Sequence, residues 1–232
     1  MTVRPNFTVE KLKASYGALV AVRDVSLSIE AGSRVGIFGH NGSGKSSLLK
    51  CLVGGVKSVS GTVHFGDAKI EPDLVHINVR LGIGVVPQSR NVFPSLTVEQ
   101  CLRIAGMRVN NSTFDDVFDL LPLLRERRRQ RAGSMSGGEQ QMVAIGMALM
   151  TKPKAILLDE PTAGLSPVAA RNALDCLKTI NEQTGMSVVL VEQNILNTLE
   201  MVQRALVLRS GEIVFDGNAR DLADKEDLWS RF

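Results

Sequence analysis

The 232-residue sequence has no run of 18 or more apolar residues, so nothing in it reads as a membrane-spanning helix. Met1-Thr2-Val3-Arg4-Pro5-Asn6 leads into no hydrophobic signal core, which argues against export. Cysteine is scarce. Cys51, Cys101 and Cys176 stand singly in apolar surroundings, with no C-x-x-C and no histidine at metal-ligand spacing, and read as buried structural thiols. A formal charge of +3 is too small to argue for a nucleic-acid partner or an anionic membrane. What remains is a globular chain expected in the cytoplasm. Its 44% hydrophobic content suffices for a sizeable core, at a length between one large domain and two small ones.

The most informative segment is Gly39-His40-Asn41-Gly42-Ser43-Gly44-Lys45-Ser46, which fits G-x-x-x-x-G-K-[ST]. Average residue frequencies put a chance match at roughly 1% for a chain of this size. Context strengthens it: Arg34-Val35-Gly36-Ile37-Phe38 suits a strand, and Ser46-Ser47-Leu48-Leu49-Lys50-Cys51-Leu52 a helix. Gly42 and Gly44 allow the backbone to curl around an anion without a Cβ in the way. The helix N-terminus adds N–H groups and partial positive charge, and Lys45 supplies a full one. Such a loop binds a nucleoside triphosphate.

The chain changes character along its length. Residues 20–29 and 61–65 alternate apolar and polar, as half-buried strands do. From about Thr97 to Met150 the spacing turns helical, with Val98, Cys101, Leu102 and Ala105 on one face and Phe114, Val117, Phe118 and Leu121 on a second helix. Residues 154–160 and 187–192 are continuous apolar strands of a kind buried on both faces of a parallel sheet, separated by a helix around Val168 to Ile180. The charge cluster Arg125, Glu126, Arg127, Arg128, Arg129 and Arg131 reads as a solvated helix end or loop.

Two further segments carry chemistry. Ile156-Leu157-Leu158-Asp159-Glu160-Pro161-Thr162 ends an apolar strand in two acids, where an open α/β sheet presents ligands. Asp159 there suits a direct or outer-sphere Mg²⁺ contact, and Glu160 suits the group that orients and deprotonates the attacking water. Ser134-Met135-Ser136-Gly137-Gly138-Glu139-Gln140-Gln141 leads into a helix with Met142, Ile145 and Leu149 along one side, a second glycine loop at a helix start. Taken alone, it is an N-cap serine with two flexible residues after it.

In combination these motifs resemble the nucleotide-binding subunits of ABC transporters over essentially the whole chain. Gly39 to Ser47 matches the Walker A loop, Pro87-Gln88 the Q-loop, Ser136-Gly137-Gly138-Glu139-Gln140 the signature motif and Ala155 to Glu160 the Walker B strand. The resemblance implies a P-loop NTPase (RecA-like) α/β core with an N-terminal antiparallel β-subdomain and an inserted helical subdomain. It implies one ABC ATPase domain over 1–232: about 1–87 and 154–232 form the core, and about 88–153 the Q-loop and helical part. Implied cofactors are ATP, held by residues 39–47 with Tyr16 stacking on adenine, and Mg²⁺, held by Ser46, Gln88 and Asp159. Gln88 would sense the γ-phosphate and Mg²⁺ while linking the core to the helical part, and Glu160 would act with it in catalysis. The implied assembly is a head-to-tail dimer, homo- or hetero-, in which Ser136, Gly137, Gly138 and Glu139 of one subunit close over ATP in the other. That dimer would sit under integral membrane permeases on the inner face of the cell membrane, with no nucleic-acid partner.

Three positions depart from the pattern. Gln193 stands where a histidine normally contacts the γ-phosphate, and it cannot carry an imidazolium charge. Glu139 replaces the usual glutamine, an acceptor-only group suited to ribose hydroxyls and not to phosphates. Gly164-Leu165-Ser166-Pro167 occupies the D-loop without its usual aspartate. Residues 91–99, 135–141 and 191–194 resemble the shorter ATPase subunit of importers for branched-chain amino acids, or their urea and amide relatives, which also use a periplasmic solute-binding protein. An exporter ATPase of the same architecture is the nearest alternative. A soluble ABC-type ATPase acting on nucleic acid or ribosomes, and a non-hydrolysing nucleotide-dependent module, are the readings from other classes.

Overall fold

The computed structural model describes residues 5–89, 91–107, 113–193 and 195–223. The leader reading at Met1–Arg4 and the Asn194 part of the 191–194 motif lie outside the described residues. Alternating apolar residues near the N-terminus fold back as β1 (Pro5–Tyr16) and β2 (Leu19–Glu30), antiparallel and joined at Gly17, whose φ of 58° suits a tight turn. The pairing register shifts around Asp24, which sits at φ 46°, so Val22 and Val25 both face the core and the alternation expected over 20–29 is broken by a bulge.

After β3 (Arg34–Phe38) and α1 (Lys45–Cys51), β4 (Ser58–Phe65) and β5 (Ala68–Lys69) extend this antiparallel sheet in the order β2-β1-β4-β5, and the short helix α2 (Val75–Asn78) follows. The second sheet adds β6 (Ile83–Val86), β7 (Ala155–Asp159), β8 (Ser187–Glu192), β9 (Arg204–Arg209) and β10 (Glu212–Asn218) to β3, in the order β10-β9-β3-β8-β7-β6. Every pair in it is parallel except β9 with β10.

Both faces of this sheet are covered, which is why its central strands are apolar without alternation. Ala155, Leu157, Val189 and Val191 enter a core shared with the antiparallel sheet and α1; Ile156, Leu158, Val188 and Leu190 enter a second core shared with helices. Those helices are α3 (Val98–Gly106), α4 (Asp115–Leu120), α5 (Pro122–Glu126) and α6 (Gly137–Leu149), inserted between β6 and β7, and α7 (Pro167–Thr184), between β7 and β8. This is the α/β architecture expected from the motif order.

Two expectations need correction. α6 is not amphipathic along Met142, Ile145 and Leu149: Val143, Ala144 and Gly146 are buried too, because the helix lies between the sheet and α3. A Cβ at Gly146 would come within 2.6 Å of Leu124 Cδ1, so the small residue sets how closely α6 packs. Cys51 and Cys101 are buried as expected, but Cys176 is only half-buried. Burial pushes the Cys51 thiol up to about 12 and that of Cys176 up to about 11, so all three cysteines remain protonated at neutral pH.

Candidate active site

The carboxyl ends of β3, β8, β7 and β6, four neighbouring strands, carry the loop at 39–46, Gln193, Asp159 with Glu160, and Gln88. An open parallel sheet presents ligands at this edge. The loop from Gly39 folds over β3 with Gly39, Gly42 and Gly44 at φ 145°, 79° and 104°, and α1 begins after Gly44. Nothing lies within 4 Å of where a Cβ at Gly42 would stand, so that part of the loop is open to an incoming anion. Gly44 is different: a Cβ there would meet the Ala21 carbonyl oxygen at 2.2 Å. Gly211 N–H bonds the Ser43 carbonyl (2.8 Å) and its own carbonyl accepts from Arg23 N–H (2.8 Å), so β2 and the β9–β10 turn brace the loop from below. Replacement of Gly44 by alanine is therefore expected to destabilise the protein by about 2–4 kcal/mol, from strain at positive φ plus the clash, measurable as a lower urea midpoint.

Lys45 is 4% exposed, and its ammonium donates to the carbonyls of Gly39 (2.7 Å) and His40 (2.9 Å). Burial lowers its pKa, opposed by the charges of Glu160, Asp159 and Glu192. Ser46 Oγ donates to Asp159 Oδ1 at 2.8 Å, across 113 residues of sequence. Ser43 Oγ is buried and has no hydrogen-bond partner among the described residues. His40 and Asn41 are exposed on the loop, and Ser47 is half-buried on α1.

Glu160 follows β7 at φ 48°, and its N–H donates to the Val191 carbonyl at 2.9 Å. Both oxygens of its carboxylate are engaged. Gln88 Nε2 donates to Oε2 at 2.6 Å and Gln193 Nε2 donates to Oε1 at 2.7 Å. Three residues widely separated in sequence thus form one hydrogen-bonded unit beside the loop, with the glutamate fixed and its surroundings partly open to solvent.

Tyr16 ends β1 and is 47% exposed, on the hairpin whose β2 braces the loop. Ser136, Gly137, Gly138 and Glu139 lie at the start of α6, and the hydrogen bonds of Ser136 and Glu139 close on each other. Glu139 N–H donates to Ser136 Oγ (3.4 Å), while Ser136 N–H and Oγ–H donate to Glu139 Oε2 (2.8 and 2.9 Å). This capping box holds the Glu139 carboxyl below the usual carboxylate range, first through the Ser136 N–H and then through its hydroxyl, so its stabilisation is present at neutral pH and is lost as pH falls through the lowered value. Within the single chain Ser136 therefore acts as the N-cap of α6, with the Glu139 carboxylate closing the box and Arg127 4.0 Å away.

The residue that sequence reasoning missed is Glu192, which looked like the apolar strand's last residue. It is 3% exposed, and its Oε1 accepts from Thr162 N–H (2.9 Å) and Oγ–H (2.7 Å). Burial pushes its pKa up, against these hydrogen bonds. An acid closing an all-buried strand was the available signal.

The family model described as ABC transporter matches residues 22–163. The chain belongs to the ABC transporter family. Within that family this ABC ATPase is 41% identical to the high-affinity branched-chain amino acid transport ATP-binding protein BraG of Pseudomonas aeruginosa, over 88% of this chain and 89% of that protein. It is 39% identical to the probable branched-chain amino acid transport ATP-binding protein LivF of Archaeoglobus fulgidus, over 93% of each. Among solved structures it resembles a dimeric ATP-binding cassette in a post-hydrolysis state bound to ADP and Pi, with a TM-score of 0.79 and 26% identity, covering 92% of this chain and 99% of that one. No helix among the described residues of the ABC ATPase is long and apolar enough to cross a membrane.

Proposed function

We propose that the chain is the ATPase subunit of a membrane importer for branched-chain amino acids, the transport named for the two relatives that match it over nearly their whole length. The observation that carries the chemical part is the Glu160 carboxylate held between the Gln88 and Gln193 amides beside the 39–46 loop. The loop would hold the phosphates of ATP, Lys45 would supply them a positive charge, and Tyr16 would stack on adenine. The unpartnered Ser43 hydroxyl and the open space at Gly42 fit such an anion.

Ser46 and Asp159, with Gln88 at the edge, are hard oxygen donors suited to Mg²⁺. An ion there would be held by one carboxylate, a hydroxyl and substrate phosphates. Held there, Mg²⁺ would supply charge neutralisation for the phosphates. Glu160 takes the proton of the water whose oxygen bonds to the γ-phosphorus as the bond to the ADP oxygen breaks, releasing ADP and phosphate, and the two glutamine amides hold its carboxylate in line. Gln193 gives a neutral hydrogen bond where an imidazolium would add charge. Gln193→His is therefore expected to gain kcat relative to wild type as pH falls through about 6.5, the charged donor being roughly twice as strong; superimposable pH profiles would remove Gln193 from this role.

One such domain, with core about 1–87 and 154–232 and helical part about 88–153, offers half of each composite site. Ser136, Gly137, Gly138 and Glu139 meet the ATP of a second ATPase subunit placed head-to-tail; that a similar cassette is dimeric supports the pairing. A groove of about 310 Å³ between β6 and α6, flanked by the half-exposed Phe93 and Val85, suits a short permease helix on the inner face of the membrane. Asn91 Nδ2 donates to Gln141 Oε1 at 2.9 Å there, tying the segment after Gln88 to the signature helix. A solute-binding protein on the far side serves the permeases.

The test is transport. Deleting this chain from the cell that makes it should abolish uptake of labelled leucine, isoleucine and valine. Normal leucine uptake with lost amide or urea uptake would favour the relatives of that importer, and lost efflux an exporter.

A further inference from the structure

We infer that Glu192 is a positioning residue for the catalytic glutamate, acting through Thr162; the inference rests on the assignment of Glu160 as general base. The turn after β7 is not self-sufficient. Glu160 is a non-glycine residue at φ 48°, a conformation that costs free energy and persists only where surrounding contacts over-determine it. Those contacts come from three successive residues, the last two of β8 and Gln193 just after it. The Val191 carbonyl accepts from Glu160 N–H at 2.9 Å, the Glu192 carboxylate accepts from Thr162 N–H and Oγ–H at 2.9 and 2.7 Å, and Gln193 Nε2 donates to the Glu160 carboxylate at 2.7 Å.

Strand β8 therefore grips the 160–162 turn at its backbone, its far end and its functional side chain together. Apart from this grip, the Thr162 carbonyl accepts from Leu165 N–H at 3.2 Å, a bond within the turn's own chain. A buried carboxylate is costly unless its lone pairs are used, and a neutral apolar side chain would complete the all-buried strand more cheaply. What the acid adds is one side-chain oxygen that accepts two hydrogen bonds from a single residue, which ties the turn to the end of β8. The oxygen that does this is an acceptor, so glutamine can imitate it and alanine cannot.

The experiment measures steady-state ATP hydrolysis by the full chain in its assembled ATPase for Glu192→Ala, Glu192→Gln and Thr162→Val, with Glu160→Gln as control. Glu192→Ala should lower kcat roughly 10- to 100-fold, the scale of an ångström-level misplacement, with KM for ATP within about threefold of wild type. Glu192→Gln should restore kcat to within about threefold of wild type, because its amide oxygen can accept both bonds. Thr162→Val, which removes one of the two donors, should lower kcat less than Glu192→Ala and add little to it in the double variant. Wild-type kcat in Glu192→Ala, or a Glu192→Gln as impaired as the alanine variant, overturns the inference. If Glu192→Ala does not fold, Thr162→Val decides: lower kcat at unchanged KM and Tm supports it, and unchanged kcat overturns it. An active Glu160→Gln would instead refute the general-base assignment; an inactive one beside a fully active Glu192→Ala refutes only the role of Glu192.

Discussion

Glu160→Gln is expected to lower ATP turnover by about 10²–10⁴-fold, the contribution of a positioned general base, while ATP binding survives. The two halves of that expectation have separate physical causes. Turnover falls because an amide has no lone pair of sufficient basicity to accept the water's proton. Binding survives because the loop at 39–46, Lys45 and Ser46 are untouched. Local geometry adds to the loss, since Gln88 and Gln193 both present amide donors to the Glu160 oxygens at 2.6 and 2.7 Å. A glutamine there offers one acceptor and one NH₂ group, so one neighbour must turn its own amide or lose its bond. Blocked hydrolysis also traps the closed state, so the mass in solution of Glu160→Gln with Mg-ATP reads out assembly. A shift from monomer to dimer means the chain's own signature loop and P-loop complete each other. A monomer that still binds ATP means the complementary half comes from a different subunit. Wild-type turnover in this variant would remove Glu160 from the base role.

Lys45→Ala should abolish measurable ATP binding at micromolar nucleotide while leaving the nucleotide-free protein close to wild type in Tm. A unit charge about 4 Å from a phosphate charge is worth up to about 4 kcal/mol at an effective dielectric near 20, or roughly three orders of magnitude in Kd. The stability half follows from the sign of the pKa shift. Lys45 is lowered chiefly by burial, despite Glu160, Asp159 and Glu192 nearby, so its charge is a net cost to the folded chain before nucleotide arrives. Removing the cation relieves that cost and offsets the loss of its bonds to the Gly39 and His40 carbonyls. The check is a thermal melt with and without ATP: wild type gains Tm on adding nucleotide and the variant does not. A variant that still gains Tm would show that main-chain donors alone hold the phosphates.

Much of this was legible before any coordinates, because the loop, the acid pair and the parallel-sheet strands are written in contiguous residues. Residues 34–38 and 187–192 are strands with the bounds their apolar runs suggested, since burial on both faces leaves a run no polar interruption. Where a signal was local but its partner was not, reading failed. The all-round burial of α6 depends on what α3 and the sheet bring to it, and the bulge at Asp24 on how β1 and β2 pair. Glu192 carries no motif; its meaning comes entirely from Thr162, 30 residues earlier.

The sequence by itself determined that this chain has a phosphate-binding loop on a strand–helix junction, an acid pair ending a buried strand and a second glycine loop opening a helix. Each is a short-range pattern enforced by backbone conformation. Only the tertiary structure decided that Gln88, Glu160 and Gln193 hold one another, because β6, β7 and β8 become neighbours through parallel crossovers that no local pattern specifies. Hydrogen bonds act over about 3 Å, and it is the strand order β3-β8-β7-β6 that brings residues up to 105 positions apart within that reach.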